Sequence, residues 1–234
     1  MNEYQNQDLG ARQYEAIGER SEREVFIIRT YVHLLGAVLA FTAIEWVLFS
    51  TGIAWTMARA MLSTSWLLVL GGFVLVSWIA SRAAHTARST AAQYAALAGF
   101  VVAEAIIFVP LLAIAFTQAP GAVQSAVTVT AIGFAGLTAV AFLSRKDFSF
   151  LGAFVRWVGV MALVAIVAAV LFGFELGTWF SVGMIALAGA AILYDTSNVI
   201  RRFPTDRHVA ASLQLFASVA LMLWYVLRLF ISRD

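Results

Sequence analysis

Cysteine is absent from the 234 residues, so disulfides, thiolate metal sites and cysteine nucleophiles are all excluded, and the redox compartment leaves no mark. Charge is scarce: Asp, Glu, Lys and Arg make up 12% of the chain while 62% is hydrophobic. A soluble domain carries about 25% charged residues, so a water-soluble globule is ruled out. Proline occurs three times, and Lys146 is the sole lysine. A net charge of +2 is too small to argue for a nucleic-acid partner.

Apolar length is what the sequence has in quantity. A hydrocarbon core of about 30 Å needs roughly 20 residues of helix to cross it. Seven stretches meet that need: Thr30 to Ser50, Thr64 to Ala80, Ala92 to Phe116, Gly121 to Leu143, Gly152 to Gly173, Thr178 to Ile200 and Val209 to Ile231. They are continuous instead of alternating, which selects helices over barrel strands, because lipid cannot satisfy an open backbone. The expected fold is all-α, a polytopic membrane protein built as a seven-transmembrane-helix bundle. Pro110 should kink the third span by removing a backbone donor. Residues 1–29 read as a polar cytoplasmic tail and 30–234 as the membrane domain. The tail's acids, Glu3, Asp8, Glu15, Glu19, Glu22 and Glu24, do not fit the basic start of a secretory signal.

The basic residues set an orientation. Arg12, Arg20, Arg23 and Arg29 in the tail, Arg82 and Arg88, Arg145 and Lys146, and Arg201, Arg202 and Arg207 fall on one side, with Arg156 just inside a helix end there. Arg59, Arg228 and Arg233 fall on the other. The positive-inside rule then places the N-terminus in the cytoplasm and, after seven crossings, the C-terminus outside.

Acids inside spans cost roughly 2.5–3.5 kcal/mol each on insertion scales, so each asks for a partner or a wet cavity. Glu45, Glu104 and Asp195 qualify. At 1.5 Å per residue, Glu104 and Glu45 lie about 20 and about 22 Å from their basic-side helix ends, and Asp195 about 8 Å from its own. Two readings of Asp195 stand: a titrating gate, or a fixed ion pair with Arg156, Arg201 or Arg202 at similar depth. Asp195 also opens a polar stripe that continues through Thr196, Ser197 and Asn198. Glu104 and Glu45, if adjacent, would share a proton and suit proton or cation passage; otherwise each is protonated or bonded to hydroxyls. Gln214 and Ser218 are spaced i, i+4 and share a face, which suits hydrogen bonding between helices.

Several chemistries fail on residue type. A retinal Schiff base needs a lysine within the bundle, and Lys146 sits in a loop. An aspartyl protease needs a second intramembrane aspartate, and Asp195 has none. His33, His85 and His208 lie far apart in sequence and form no zinc signature, and no glycine loop for phosphate is present. Neither an enzyme nor a resident cofactor is expected.

Ile192-Leu193-Tyr194-Asp195-Thr196-Ser197-Asn198-Val199-Ile200 resembles the aromatic-acid-Thr signature of the Bax inhibitor family of seven-helix membrane proteins. Arg145-Lys146-Asp147-Phe148-Ser149-Phe150-Leu151-Gly152 and the Ser232-Arg233-Asp234 ending are similar to that family's bacterial YccA branch. Glu104 followed by Pro110 resembles a third-helix pattern in part of the family. The resemblance implies a bacterial inner-membrane protein whose expected activity is modulation of a membrane protease, with an acid-sensitive leak as the alternative. YccA-like proteins modulate the membrane-anchored AAA+ protease FtsH, with the cytoplasmic tail as its handle. Other relatives are acid-sensitive calcium leaks in which the sixth-span acid pairs with an aspartate in the seventh. The matching position here is Ser218, a departure shared with the YccA branch that removes the second carboxylate. Asp195 would be the gating acid and Arg156, Arg201 or Arg202 its closing partner, with Glu104 and Glu45 further along a path for calcium or protons.

Overall fold

The computed structural model describes residues 2–232 except Arg88 and Arg145, with side chains from Gly18 onward apart from Glu19. Arg12, Arg233, Asp234 and the tail acids Glu3, Asp8, Glu15 and Glu19, used in the sequence reading, therefore have no described side chains. Eight helices are present among the described residues: α1 (Asn2–Ser50), α2 (Ile53–Leu62), α3 (Trp66–Thr86), α4 (Thr90–Gln118), α5 (Ala122–Leu143), α6 (Leu151–Phe172), α7 (Thr178–Arg201) and α8 (His208–Ile231). Seven of them, all but α2, are long and apolar enough to cross a membrane.

α2 is the element the sequence reading took for a loop. Gly52, at φ 79°, turns the chain back after α1, and a residue with a Cβ rarely adopts that conformation. Ala54 and Ala58, one turn apart, then pack against Val109 and Ala113 of α4. Ten residues rise only about 15 Å, too short to cross. At the other end, α1 runs without a break from the polar segment into its span. Pro110 is buried within α4, and the helix continues past it to Gln118.

α8 is the central post. It touches α1, α3, α4, α5 and α7, whereas among the described residues α6 packs mainly on α7 and, slightly, on α3. Two thirds of the apolar windows of α4 and α8 are buried, against 6% for α6. Lipid tails are as apolar as leucine, so close packing and polar contacts, rather than expulsion from water, hold such a bundle together. Edge-to-face rings supply part of that packing: Phe108 meets Trp224 at 5.1 Å and Phe41 meets Phe108 at 5.1 Å. Gly152 supplies another close approach. An added Cβ there would lie 2.7 Å from Cζ of Tyr194, so the α6 backbone rests directly on the ring beside Asp195.

Candidate functional site

Asp195 is 4% exposed on the inner face of α7. Its Oδ1 accepts from Gln214 Nε2 at 2.6 Å and its Oδ2 from Ser218 Oγ at 2.6 Å. The i, i+4 pair on α8 thus spends both donors on a single carboxylate. Among the described residues no arginine and no second acid reaches it, which overturns the expected ion pair. Arg202 instead pairs with Asp147 at 2.6 Å, and Arg201 Nη2 donates to the Lys146 carbonyl at 3.4 Å. Arg156 is exposed on α6. The physical reason is cost: drawing a guanidinium into the bundle strips its hydration, while an acid in the loop offers a partner in water.

Beside this carboxylate the hydroxyls of Tyr31 (α1), Thr138 (α5) and Thr196 (α7) come together. Each is buried, and none stands in hydrogen-bonding geometry with a described partner. Asn198 is buried one turn further on, and its carbonyl accepts from the backbone N–H groups of Arg202 and Phe203 at 2.8 Å, closing the end of α7. Of the three, Thr196 was legible in sequence as part of the polar stripe that Asp195 opens, whereas Tyr31 and Thr138 are ordinary residues of apolar spans and were not read as site residues.

The other acids stand along the same bundle. α4 and α8 run in parallel, with Tyr94 beside His208, Phe100 beside Phe216 and Phe108 beside Trp224. That register brings Glu104 to within about one turn, ~5 Å in depth, of Ser218. The separate levels expected for Asp195 and Glu104 are therefore nearly merged, because α7 ends deeper than its neighbours begin. α1 runs parallel to α4 with His33 beside Tyr94, Phe41 beside Phe108 and Phe49 beside Phe116, a register that sets Glu45 beyond Glu104, toward the Arg59 end, by about 3–12 Å. Among the described residues the two acids are not hydrogen-bonded to each other, so they form no proton-sharing pair. Both Glu45 oxygens are buried without a described partner. No group of three or more His, Asp or Glu side chains placed to hold a metal occurs among the described residues.

The basic end of the site is closed by the α5–α6 loop. Asp147 Oδ1 accepts from Ser149 N at 2.9 Å and from Ser197 Oγ at 3.3 Å, while Phe148 N donates to Ser197 Oγ at 3.0 Å. The Arg202 guanidinium, helped by the Ser149 N–H, holds the Asp147 carboxyl below the usual carboxylate range. Two more arginines clamp neighbouring ends: Arg23 donates to the Phe203 carbonyl at 2.5 Å, and Arg207 to those of His85 and Ala87 at 2.7 and 3.1 Å. His33 and His208, distant in sequence, stand with ring centroids 4.9 Å apart.

Comparison with known proteins agrees with this architecture. An uncharacterized protein of Campylobacter jejuni is 28% identical over 230 residues, covering 91% of this chain and 92% of its own length. An uncharacterized protein of Pseudomonas aeruginosa is 31% identical over 111 residues, 46% of this chain and 49% of its own. The family model described as inhibitor of apoptosis-promoting Bax1 matches residues 23–234, the whole bundle with its buried seventh-helix aspartate, and the chain accordingly belongs to the Bax inhibitor family.

Proposed function

We propose that this protein is a pH-sensitive leak for protons or cations such as calcium, gated by the carboxylate of Asp195. The observation that carries the reading is a buried acid held only by neutral donors, Gln214 and Ser218. A carboxylate without a counter-ion couples its charge to its hydration, so a wetter, open arrangement favours the ionised form and a dry, closed one the neutral form. Glu104 and then Glu45 continue the acid series toward the end of the bundle that carries Arg59. Arg202 and Arg201 act by holding the α5–α6 loop over the entrance, not by pairing with the gate. Calcium entry into proteoliposomes, followed from pH 5 to 8, should change with pH in the natural protein and lose that dependence in Asp195→Asn. Absence of flux at every pH would overturn the reading.

A second reading has its own support. The chain resembles the YccA-like branch in its Arg145–Gly152 segment, and α1 carries a polar stretch of about 28 residues beyond its span. In a bacterial inner membrane, with that stretch in the cytoplasm and the C-terminus outside, it would serve as the handle by which an FtsH-type protease engages a bundle with few loops to pull. Deleting residues 1–29 should then abolish co-purification with the protease, and unchanged co-purification would defeat this reading.

A further inference from the structure

At the basic end of the bundle, three helices bring together a set of donors that the acid series does not use. Arg29 and His33 stand one turn apart on α1, Tyr94 is in the second turn of α4, and His208 opens α8. The Arg29 carbonyl can only accept, so the 2.6 Å contact fixes the proton of His33 on Nδ1. Its Nε2 is then turned to the Tyr94 hydroxyl at 2.8 Å. The Tyr94 ring stands 5.3 Å from that of His33 and 6.5 Å from that of His208, and the two imidazoles are 4.9 Å apart. Arg29 lies close enough to act electrostatically on His208.

No carboxylate among the described residues forms an ion pair with Arg29, His33 or His208. The neighbouring arginine of the α7–α8 connection, Arg207, is already committed to the end of α3 and to Asp206. An oxyanion there accepts directly from the Arg29 guanidinium and from a His208 N–H, and the Tyr94 O–H, which otherwise donates to His33 Nε2, can turn to it as a third donor. The cluster also opens sideways: Arg29, Val32 and Tyr94 are exposed, so it faces the level where headgroups meet acyl chains.

We infer that Arg29, His33, Tyr94 and His208 form a binding site for the phosphate of an anionic lipid headgroup at the basic end of the bundle. Basic pockets between spans at this depth suit such headgroups, and an amphipathic tyrosine belongs at the same level. The binding ties α1, α4 and α8 together at one end, and it stands whether or not the chain conducts ions.

Native mass spectrometry of the full chain in detergent tests the site, with phosphatidylglycerol, phosphatidylcholine and inorganic phosphate as probes. The natural protein should retain phosphatidylglycerol at least tenfold more tightly than phosphatidylcholine, and millimolar phosphate should not displace it. Arg29→Gln with His208→Gln should erase the preference, Tyr94→Phe should weaken it severalfold, and Arg59→Gln at the opposite end should leave it intact. Tyr94→Phe, a conservative change at an exposed position, keeps the test decisive if the double variant fails to fold. Equal retention of the two lipids, or a preference surviving both sets of substitutions, would overturn the site. Displacement by free phosphate would reassign it to a soluble anion and overturn the lipid.

Discussion

The two neutral donors on Asp195 decide how single substitutions should behave. Hydrogen bonds between spans average about 0.6 kcal/mol by double-mutant cycles. Leaving a buried acceptor unpaired costs more, about 1–3 kcal/mol. Gln214→Leu strips Oδ1 of its donor while keeping most of the side-chain volume, so it belongs to the second class. The expected result is a loss of about 1–3 kcal/mol, read as a lower unfolding midpoint in detergent, and combining it with Asp195→Leu should restore most of that loss. The sequence made the pair legible as two polar residues on one face of α8, but not the acid they meet. That depends on the antiparallel register of α7 against α8, set by the turn through residues 202–207. The arginine partners were misread for the same reason: depth along a helix was visible, and the competing acid Asp147, two helices away in sequence, was not.

Among the elements, the α5–α6 loop is the one whose docking should respond to acid. The Asp147 carboxyl is held below its ordinary value in the folded protein. Its contribution is therefore fully present above the unfolded value of about 3.9 and lost as pH falls through the lowered one. Amide exchange of Phe148 and Ser149, whose N–H groups are bonded in the clasp, should stay slow at pH 5 to 7 and quicken only below about pH 4. Arg202→Gln should move that onset upward in pH; exchange unaffected by the substitution would show that the clasp does not hold the loop. The loop entered the sequence reading as a family motif without a mechanical role. The spans were legible because continuous apolar runs have few alternatives in lipid. α2 was not, because its signal is only two alanines, Ala54 and Ala58, whose partner surface on α4 is remote in sequence.

For the whole molecule, seven spans and the arginine distribution predict a sidedness that can be measured directly, since the sequence has no cysteine to remove. A cysteine introduced at Lys146 should be blocked only by a membrane-permeant thiol reagent in intact cells, and one at Arg59 should react with an impermeant reagent. Labelling of both from the same side would break the orientation. The number of spans and the interior placement of the acids were legible from composition and helix length. Their mutual depth was not, because tilt and the unequal ends of the helices shift one span against another. His33 and His208 illustrate the same limit: 175 positions separate them, yet they share one corner of the bundle.

The position of α8 has a consequence for biogenesis. The ribosome delivers the other six spans, five of which lean on α8, before it delivers α8 itself, so each nascent chain passes through a stage in which those staves stand around an empty axis. During that interval Asp195 has neither the Gln214 amide nor the Ser218 hydroxyl to rest against, and α4 lacks one of its packing partners. An intermediate halted there would be a loose, polar-cored assembly, open to water and to surveillance proteases. Insertion of α8 then acts as a keystone, converting a temporary gathering of rods into a packed wall in one step.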